Sequence, residues 1–437
     1  MISPSPCLAS DAAVFAAFVG LDWADQKHDV MLYDQRGGEA ERSQLTHTPE
    51  AIDEWACGLR QRFGGRPIAV CFEQSPTTAA RRCPAIAYAL LKYDFLILFP
   101  LPPSRLAAYR ESFSNSGAKD DPTDAALLLD YVLRHRDQVR VWQPDTPATR
   151  ELQLLAEARR DAVDQRTRFS NQLTAVLKRY FPQAVALVGC DVDTLLACDF
   201  LSRWPTLAAV QAAAPSTLRK FYDAHRCRQE ERIAERLQLA QVAVPLTNDA
   251  ALIQAGTLQV QYLVGQLRAI LRAIQKFETR LKQLMEEHPD AALFLALPGA
   301  GAALAPRLLV AFGSDRQRFQ TAAELQTLSG VAPVTKRSGK RRTVHRRWAC
   351  PKFLLQTFHE FAMCSRKKSV WAKAFYLLQR SHGKGHHAAL RSLAFKWIRI
   401  LFRCWKTNTP YSEKRCLQSL QRSNAPLLAF LSAPAGA

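Results

Sequence analysis

Between Val260 and Leu284 the apolar residues Val260, Leu263, Leu267, Ile270, Ile274, Phe277, Leu281 and Leu284 recur at alternating spacings of three and four, ended by Pro289. Only an α-helix turns that spacing into one continuous stripe, and more than three heptads of it make a coiled-coil seam. Such a seam needs a partner face. One candidate is in the same chain, where Leu152, Leu155, Ala162, Phe169, Leu173, Val176 and Tyr180 form a second helical stripe ending at Pro182. The other is a second copy of the chain, and spacing does not choose between them. From Gly189 to Thr247, shorter helical pieces broken by Pro205, Pro215 and Pro245 read as a possible insertion with no functional signal.

Upstream the texture differs. Phe15 to Asp22 and His28 to Asp34 read as strands, followed by a turn at Arg36-Gly37-Gly38, and Thr48 to Phe63 has helical spacing. Ile68 to Glu73 is another buried strand, Thr77 to Tyr93 is helical, and Phe95 to Phe99 is a further strand closed by Pro100. Strands interleaved with helices predict an α/β layer structure. Two of the strands end on acids, Asp22 and Glu73, at the carboxyl ends where open α/β sheets place their sites.

A third acidic feature follows. Gly117 to Ala125 reads Gly-Ala-Lys-Asp-Asp-Pro-Thr-Asp-Ala, with three carboxylates at the mouth of a helix. Asp121 and Asp124 share a helix face, and so do Asp120 and Asp124. The plain alternative is that Asp120 and Asp121 only cap the helix. Carboxylates from two strand ends and one helix suit hard divalent cations, and paired Mg2+ ions about 4 Å apart serve phosphoryl transfer.

Charge is distributed unevenly. From Lys336 onward there are 22 Lys and Arg against only Glu360 and Glu413, so the last quarter carries the whole net charge of +20. Clustered cations gain affinity for a polyanion by releasing counterions from its phosphates. Lys336, Arg337, Lys340, Arg341, Arg342, Arg346 and Arg347 are the candidate nucleic-acid-binding residues, in a basic loop that exposes the Ser338 hydroxyl. A serine in such a place is more often a phosphate hydrogen-bonder than a nucleophile. Pro298-Gly299-Ala300-Gly301 resembles a helix-hairpin-helix turn, whose glycines let backbone amides approach a phosphate. The helix Leu390 to Trp405 mixes cations with aromatics that amphipathic packing explains. His345, His386 and His387 have no metal-ligand spacing and read as basic-surface residues. Eleven cysteines without a Cys-x-x-Cys pair read as reduced thiols of a cytosolic protein. No run of about 18 uncharged apolar residues is present, and the N-terminus lacks the basic start of a signal peptide, so a membrane role is not expected.

Val19-Gly-Leu-Asp22, Phe72-Glu73 and Lys119-Asp-Asp121-Pro-Thr-Asp124-Ala125 resemble the motifs of the DEDD transposases of bacterial insertion sequences. Phe319 to Leu328, Ser329-Gly-Val-Ala-Pro333 and Lys336 to Arg342 resemble the C-terminal domain of the same family. The resemblance implies an RuvC-like, RNase H-type α/β domain over 1–145, a helical coiled-coil region over 146–290 with the possible insertion 189–247, and an α-helical basic transposase domain over 291–437. It implies Asp22, Glu73, Asp121 and Asp124 as catalytic metal ligands, selecting Asp121 over Asp120, with Mg2+ as cofactor, two ions in all. Asp120 stands where relatives carry Thr or Ser. The resemblance also makes Ser338 the expected nucleophile, with Ser329 as runner-up. Thr343 to Pro351 departs from the family's Gly-rich stretch at this point, being more basic. Implied partners are DNA, a guide RNA encoded at the element's ends, and further copies of the chain, as a dimer or tetramer joined through the coiled coil. The expected location is the bacterial cytoplasm, at the nucleoid. Two other readings compete: a metal-dependent junction endonuclease in which water attacks, and a non-catalytic nucleic-acid-binding scaffold.

Overall fold

A computed structural model of the protein describes residues 15–74, 85–113, 121–339 and 341–431, with the side chains of Asp121 and Pro122 outside that description. It divides into two units, one made of Met1–Arg150 and Ala311–Ala437, the other of Glu151–Val310.

In the first unit, β1 (Ala17–Asp22) is buried along its first five residues. β2 (Lys27–Asp34) pairs with it antiparallel, and β3 (Ala40–Thr46) pairs antiparallel with β2. Helix α1 (Pro49–Phe63) starts where the Thr48 hydroxyl accepts the Ala51 N–H at 3.2 Å and stops at Gly64, whose φ of 64° is left-handed. β4 (Ile68–Glu73), α2 (Ala85–Leu90) and β5 (Leu96–Leu101) follow, with β4 parallel to both β1 and β5. The sheet order is β3-β2-β1-β4-β5. The expected strands at β1, β2, β4 and β5 are all present, so the chain begins as a mixed α/β sheet. β3 is a correction to the reading of the sequence. Only Leu45 of its seven residues is buried, so no apolar alternation announces it.

Helices α3 (Pro103–Glu111) and α4 (Asp121–His135) complete this part. Alternation sorts the two central strands onto two faces. Ala17, Val19 and Leu21 of β1 and Ile68, Val70 and Phe72 of β4 pack with Ile52, Leu59 and Phe63 of α1. Phe18 of β1 and Ala69 and Cys71 of β4 pack instead with Leu128, Leu129 and Val132 of α4.

The second unit is helical. Helix α5 (Pro147–Tyr180) enters it from the first unit, and α6 (Gln183–Leu187), α7 (Leu195–Arg203), α8 (Leu207–Gln211), α9 (Pro215–Ala224) and α10 (Glu230–Val242) lead to α11 (Ala250–Glu287). The seam of α11 finds its partner in the same chain. Leu173 and Leu177 of α5 share a core with Val260, Leu263, Val264 and Leu267, and Ala162 packs with Ile270 and Ile274. Ion pairs Arg159–Glu278 and Arg280–Glu151 join the start of α5 to the end of α11, so the two run antiparallel. The stripe is therefore covered within the chain and is not the open face the sequence offered to a second copy. Residues 189–247 are built into the same core through Phe200, Trp204, Phe221 and Tyr222. After α12 (Ala291–Leu295), the Pro-Gly-x-Gly turn has Gly299 and Gly301 at φ of 82° and 55°, and α13 (Gly301–Phe312) starts there.

The chain then returns to the first unit. Helix α14 (Ala322–Leu328) leads into β6 (Val334–Ser338) and β7 (Arg341–His345), an antiparallel hairpin. The expected basic loop is thus two strands, which corrects the expectation of an all-helical C-terminal part. The bare Lys and Arg run has no apolar face to reveal the pairing. Helices α15 (Lys352–Ser365), α16 (Val370–Ser381), α17 (His386–Lys406) and α18 (Glu413–Arg422) pack around Trp371, Trp397 and Trp405, all fully buried. Each indole N–H is satisfied, by Tyr411 Oη at 2.6 Å, Ser365 Oγ at 2.8 Å and Gly313 O at 2.8 Å. Asp145 ties the two segments of the first unit together by accepting the Ser314 N–H at 3.0 Å, and Thr149 hydrogen-bonds Ser314 Oγ at 2.6 Å.

Candidate active site and nucleic-acid interface

The register of β1 against β4 pairs Leu21 with Phe72, so the next residues, Asp22 and Glu73, end their strands side by side. By alternation Asp22 follows Phe18 and Gly20, and Glu73 follows Ala69 and Cys71. Both acids therefore belong to the sheet face that α4 covers. Gly20 lets that helix approach. A Cβ at this position would lie 2.1 Å from the Ala125 carbonyl oxygen and 2.4 Å from the Leu129 nitrogen. The contact seats the first turns of α4, and with them Asp124, directly over β1.

Asp124 is fully buried. Its Oδ1 accepts from the Nε of Arg110 on α3 at 2.9 Å and also from Nη2 of the same guanidinium. Its Oδ2 is buried without a hydrogen-bond partner among the described residues. A buried carboxylate oxygen without a partner is costly unless a donor or a cation completes it. Asp120 lies outside the described residues, as does the side chain of Asp121. Among the described residues no three His, Cys, Asp or Glu side chains converge as a metal cage. The chemistry of the donor set nevertheless fits a hard divalent cation: oxygen ligands at two adjacent strand ends and one unsatisfied buried oxygen.

Three residues that the sequence did not mark hold this end of the sheet. Arg110 is one. The second is Trp23, whose Nε1 donates to the Glu73 carbonyl oxygen at 2.8 Å and ties the residue after Asp22 to the neighbouring strand end. The third is His28, which is wholly buried. Its Nδ1 accepts the Ala24 N–H at 3.2 Å, so its proton sits on Nε2 and donates to His47 Nδ1 at 2.9 Å. Burial, helped by His47, lowers its pKa from 6.5 to about 4. A neutral His28 therefore pins the loop that leaves Asp22. The only sequence signal for it was an apolar alternation in β2 that happens to include a histidine.

The basic candidates lie on the hairpin. Lys336, Arg337, Arg341, Arg342 and Arg346 are exposed, Arg347 is half-buried, and Lys340 lies outside the described residues. Arg337 stands directly opposite Arg342 across the strands. Like charges so placed repel, and an anion between them relieves the repulsion. Ser338 pairs with Arg341 at the tip of the hairpin and is exposed, beside Gly339 at φ of 55°. Ser329 is fully buried at the end of α14, its hydroxyl donating to Gln326 O at 3.3 Å. Among the described residues, no hydrogen bond links Ser338 to Asp22, Glu73 or Asp124. The structure thus brings Asp22, Glu73 and Asp124 to one end of the sheet, and Ser338 is exposed at the tip of the hairpin. No described helix is long and apolar enough to cross a membrane.

Comparison with known proteins gives two family matches in order along the chain. A DEDD transposase model of the IS110 type matches residues 19–182, spanning Asp22 to Asp124, and a model described as transposase, IS116/IS110/IS902 family, matches residues 291–377, spanning Ser338. The mini-circle putative transposase for IS117 of Streptomyces coelicolor is 28% identical over 414 residues, covering 93% of this chain and 98% of the relative. The insertion element IS110 uncharacterized 43.6 kDa protein of the same organism is 28% identical over 68% of this chain and 73% of its own length. The insertion element IS900 uncharacterized 42 kDa protein of Mycobacterium paratuberculosis is 24% identical over 71% of this chain and 77% of its own. With both transposase regions present in sequence order and one relative aligned along nearly its whole length, the chain belongs to the IS116/IS110/IS902 family of insertion-element transposases.

Proposed function

We propose that this transposase cuts and exchanges DNA strands at a metal site on an RNase H-like domain, with Ser338 as the attacking group. The observation that carries the reading is the pairing of Asp22 and Glu73 at adjacent strand ends, on the face where Gly20 admits α4 and the buried Asp124. The order β3-β2-β1-β4-β5, with an antiparallel meander leading into parallel strands, supports the RNase H-like assignment. Asp22, Glu73, Asp121 and Asp124 would hold two Mg2+ ions, which when bound lower the charge on the scissile phosphate and ease departure of its oxygen. Arg110 holds Asp124 in place from the protein side. Ser338 Oγ attacks phosphorus, an Oγ–P bond forms, the P–O bond to the leaving deoxyribose breaks, and the serine proton ends on that leaving oxygen. Arg337, Arg341 and Arg342 bind the flanking phosphates. Exposure of Ser338 amid cations that have no carboxylate partner among the described residues supports its role over the buried Ser329.

The family resemblance further implies that a guide RNA selects the DNA and that several copies of the chain assemble. The exposed cations suit RNA phosphates as well as DNA. Because the α11 seam is covered in cis, assembly must use another surface.

The test is strand exchange on element-end DNA with purified chain, its guide and Mg2+. Chelation or Asp124→Asn is expected to abolish exchange while DNA binding persists. Full exchange after either treatment would reject the metal site.

A further inference from the structure

A groove of about 580 Å³ lies between the end of β7 and helices α16 and α17, within the first unit. Its volume falls in the range of pockets that take a drug-sized organic ligand, about 300–1,000 Å³. The floor is apolar. Val344 is 56% exposed, and Phe375 and Phe395 are half-buried with part of their rings in the groove. The walls are cationic, with Arg346, Lys384 and Arg391 and no carboxylate among the lining residues. An exposed valine and two half-buried phenyl rings flanked by cations, without a single acid among the lining residues, are unusual for a surface that meets only water.

Each wall has a defined position. The backbone oxygen of Phe395 accepts from the buried Gln326 amide at 2.7 Å, which fixes this stretch of α17. Lys384 Nζ donates to Gln379 Oε1 at 2.5 Å and to Ser392 Oγ at 3.1 Å, neutral partners that orient the ammonium and leave its charge uncompensated. Arg346 lies over the Trp348 ring with 4.5 Å to its centroid, and that indole is itself 68% exposed. Burial and the nearby Arg346 both push the Arg391 guanidinium below its ordinary range. Cations held this close together favour an anion between them.

We propose that this groove binds a single-stranded nucleic-acid segment, with an unstacked base on Phe375 and Phe395 and its phosphates on Arg346, Lys384 and Arg391. A duplex offers phosphates but keeps its base faces inside the stack, so it has no use for an apolar floor. A single strand offers both, and base–aromatic stacking beside a cationic track is how such strands are held without sequence preference. The groove opens at His345, and Ser338 lies at the other end of the same hairpin. At about 3.3 Å per residue the two are roughly 13 Å apart, within reach of one short strand. This last point rests on the reading of Ser338 as the attacking group; the groove itself does not. In that reading the groove holds the strand that melting exposes beside the cut.

The test measures binding of the full chain to a fluorescent oligothymidylate, to an abasic strand of equal length and to a duplex. Phe395→Leu keeps the packing of α17 but removes the ring. It is expected to weaken oligothymidylate about tenfold and to leave the abasic strand and the duplex unchanged. Val344→Glu, at an exposed position where folding is not at stake, should weaken both single strands. Arg391→Gln should lower the salt slope for single strands by about one. Oligouridylate run in parallel distinguishes RNA from DNA as the occupant, and base-dependent binding of either supports the groove. The proposal is overturned if Phe395→Leu and Val344→Glu leave oligothymidylate binding intact, or if duplex, abasic strand and an acidic peptide lose affinity equally with it. Ser338→Ala should bind single strands like the unaltered chain. Loss of its chemistry and loss of groove binding are therefore separate results.

Discussion

Asp124 and Ser338 stand in opposite surroundings. The carboxylate, in the first turn of α4, is fully buried, with Arg110 on one oxygen and a packing contact at Gly20 that fixes its helix against β1. The serine sits at the tip of a hairpin whose residues are nearly all exposed, among cations that repel one another across the strands. The acidic end is ordered by folding itself. The hairpin is held by its own ladder, and among the described residues its cations meet no carboxylate.

The largest expected effect is on the acidic side. Gly20→Val drives a side chain into the backbone of α4 at Ala125 and Leu129 and should cost about 3 kcal/mol in thermal or denaturant unfolding. A neutral result would mean that α4 is not seated as described. Next comes His28→Ala, which empties the wholly buried site of the ring and removes its bonds to the Ala24 N–H and to His47, and should cost about 2 kcal/mol. His28 also gives a sign for pH. Its folded pKa of about 4 lies below the ordinary 6.5, so the unfolded chain takes up a proton that the folded chain refuses. Stability contributed by this group is full above about pH 6.5 and declines as pH falls toward 4. The decline should be absent in His28→Ala.

The smallest expected effect on stability, and the sharpest contrast, comes from the hairpin. Replacing Arg337 and Arg342 by Gln together should leave stability within about 0.5 kcal/mol or raise it slightly. The slope of log affinity against log salt for DNA should fall by about two. If unfolding were strongly affected, the hairpin would be part of the core after all and the contrast with Asp124 would fail.

Much of the acidic end was legible in the sequence because strands and helices announce themselves by what they bury. The runs ending at Asp22 and Glu73 are apolar and of strand length, and α4 and the α11 seam follow helical spacing. What escaped was polar. β3 buries only Leu45 and is formed by backbone pairing to β2. The β6–β7 hairpin buries almost nothing, so a row of Lys and Arg read as a loop. Arg110, Trp23 and His28 act through contacts reaching up to 50 residues along the chain, a distance at which single-sequence spacing carries no signal. The partner of the α11 seam was left open for the same reason. Two apolar stripes match each other as well in one chain as between two.

In the proposed reaction the acidic end and the exposed serine act together. The most direct measurement is denaturing electrophoresis of the chain after incubation with labelled element-end DNA and Mg2+, followed by peptide mapping of any adduct. A covalent protein–DNA species attached at Ser338 is expected, absent in Ser338→Ala and absent in Asp124→Asn. Mg2+-dependent cleavage that proceeds unchanged in Ser338→Ala without any adduct would contradict that reaction and assign the attack to water.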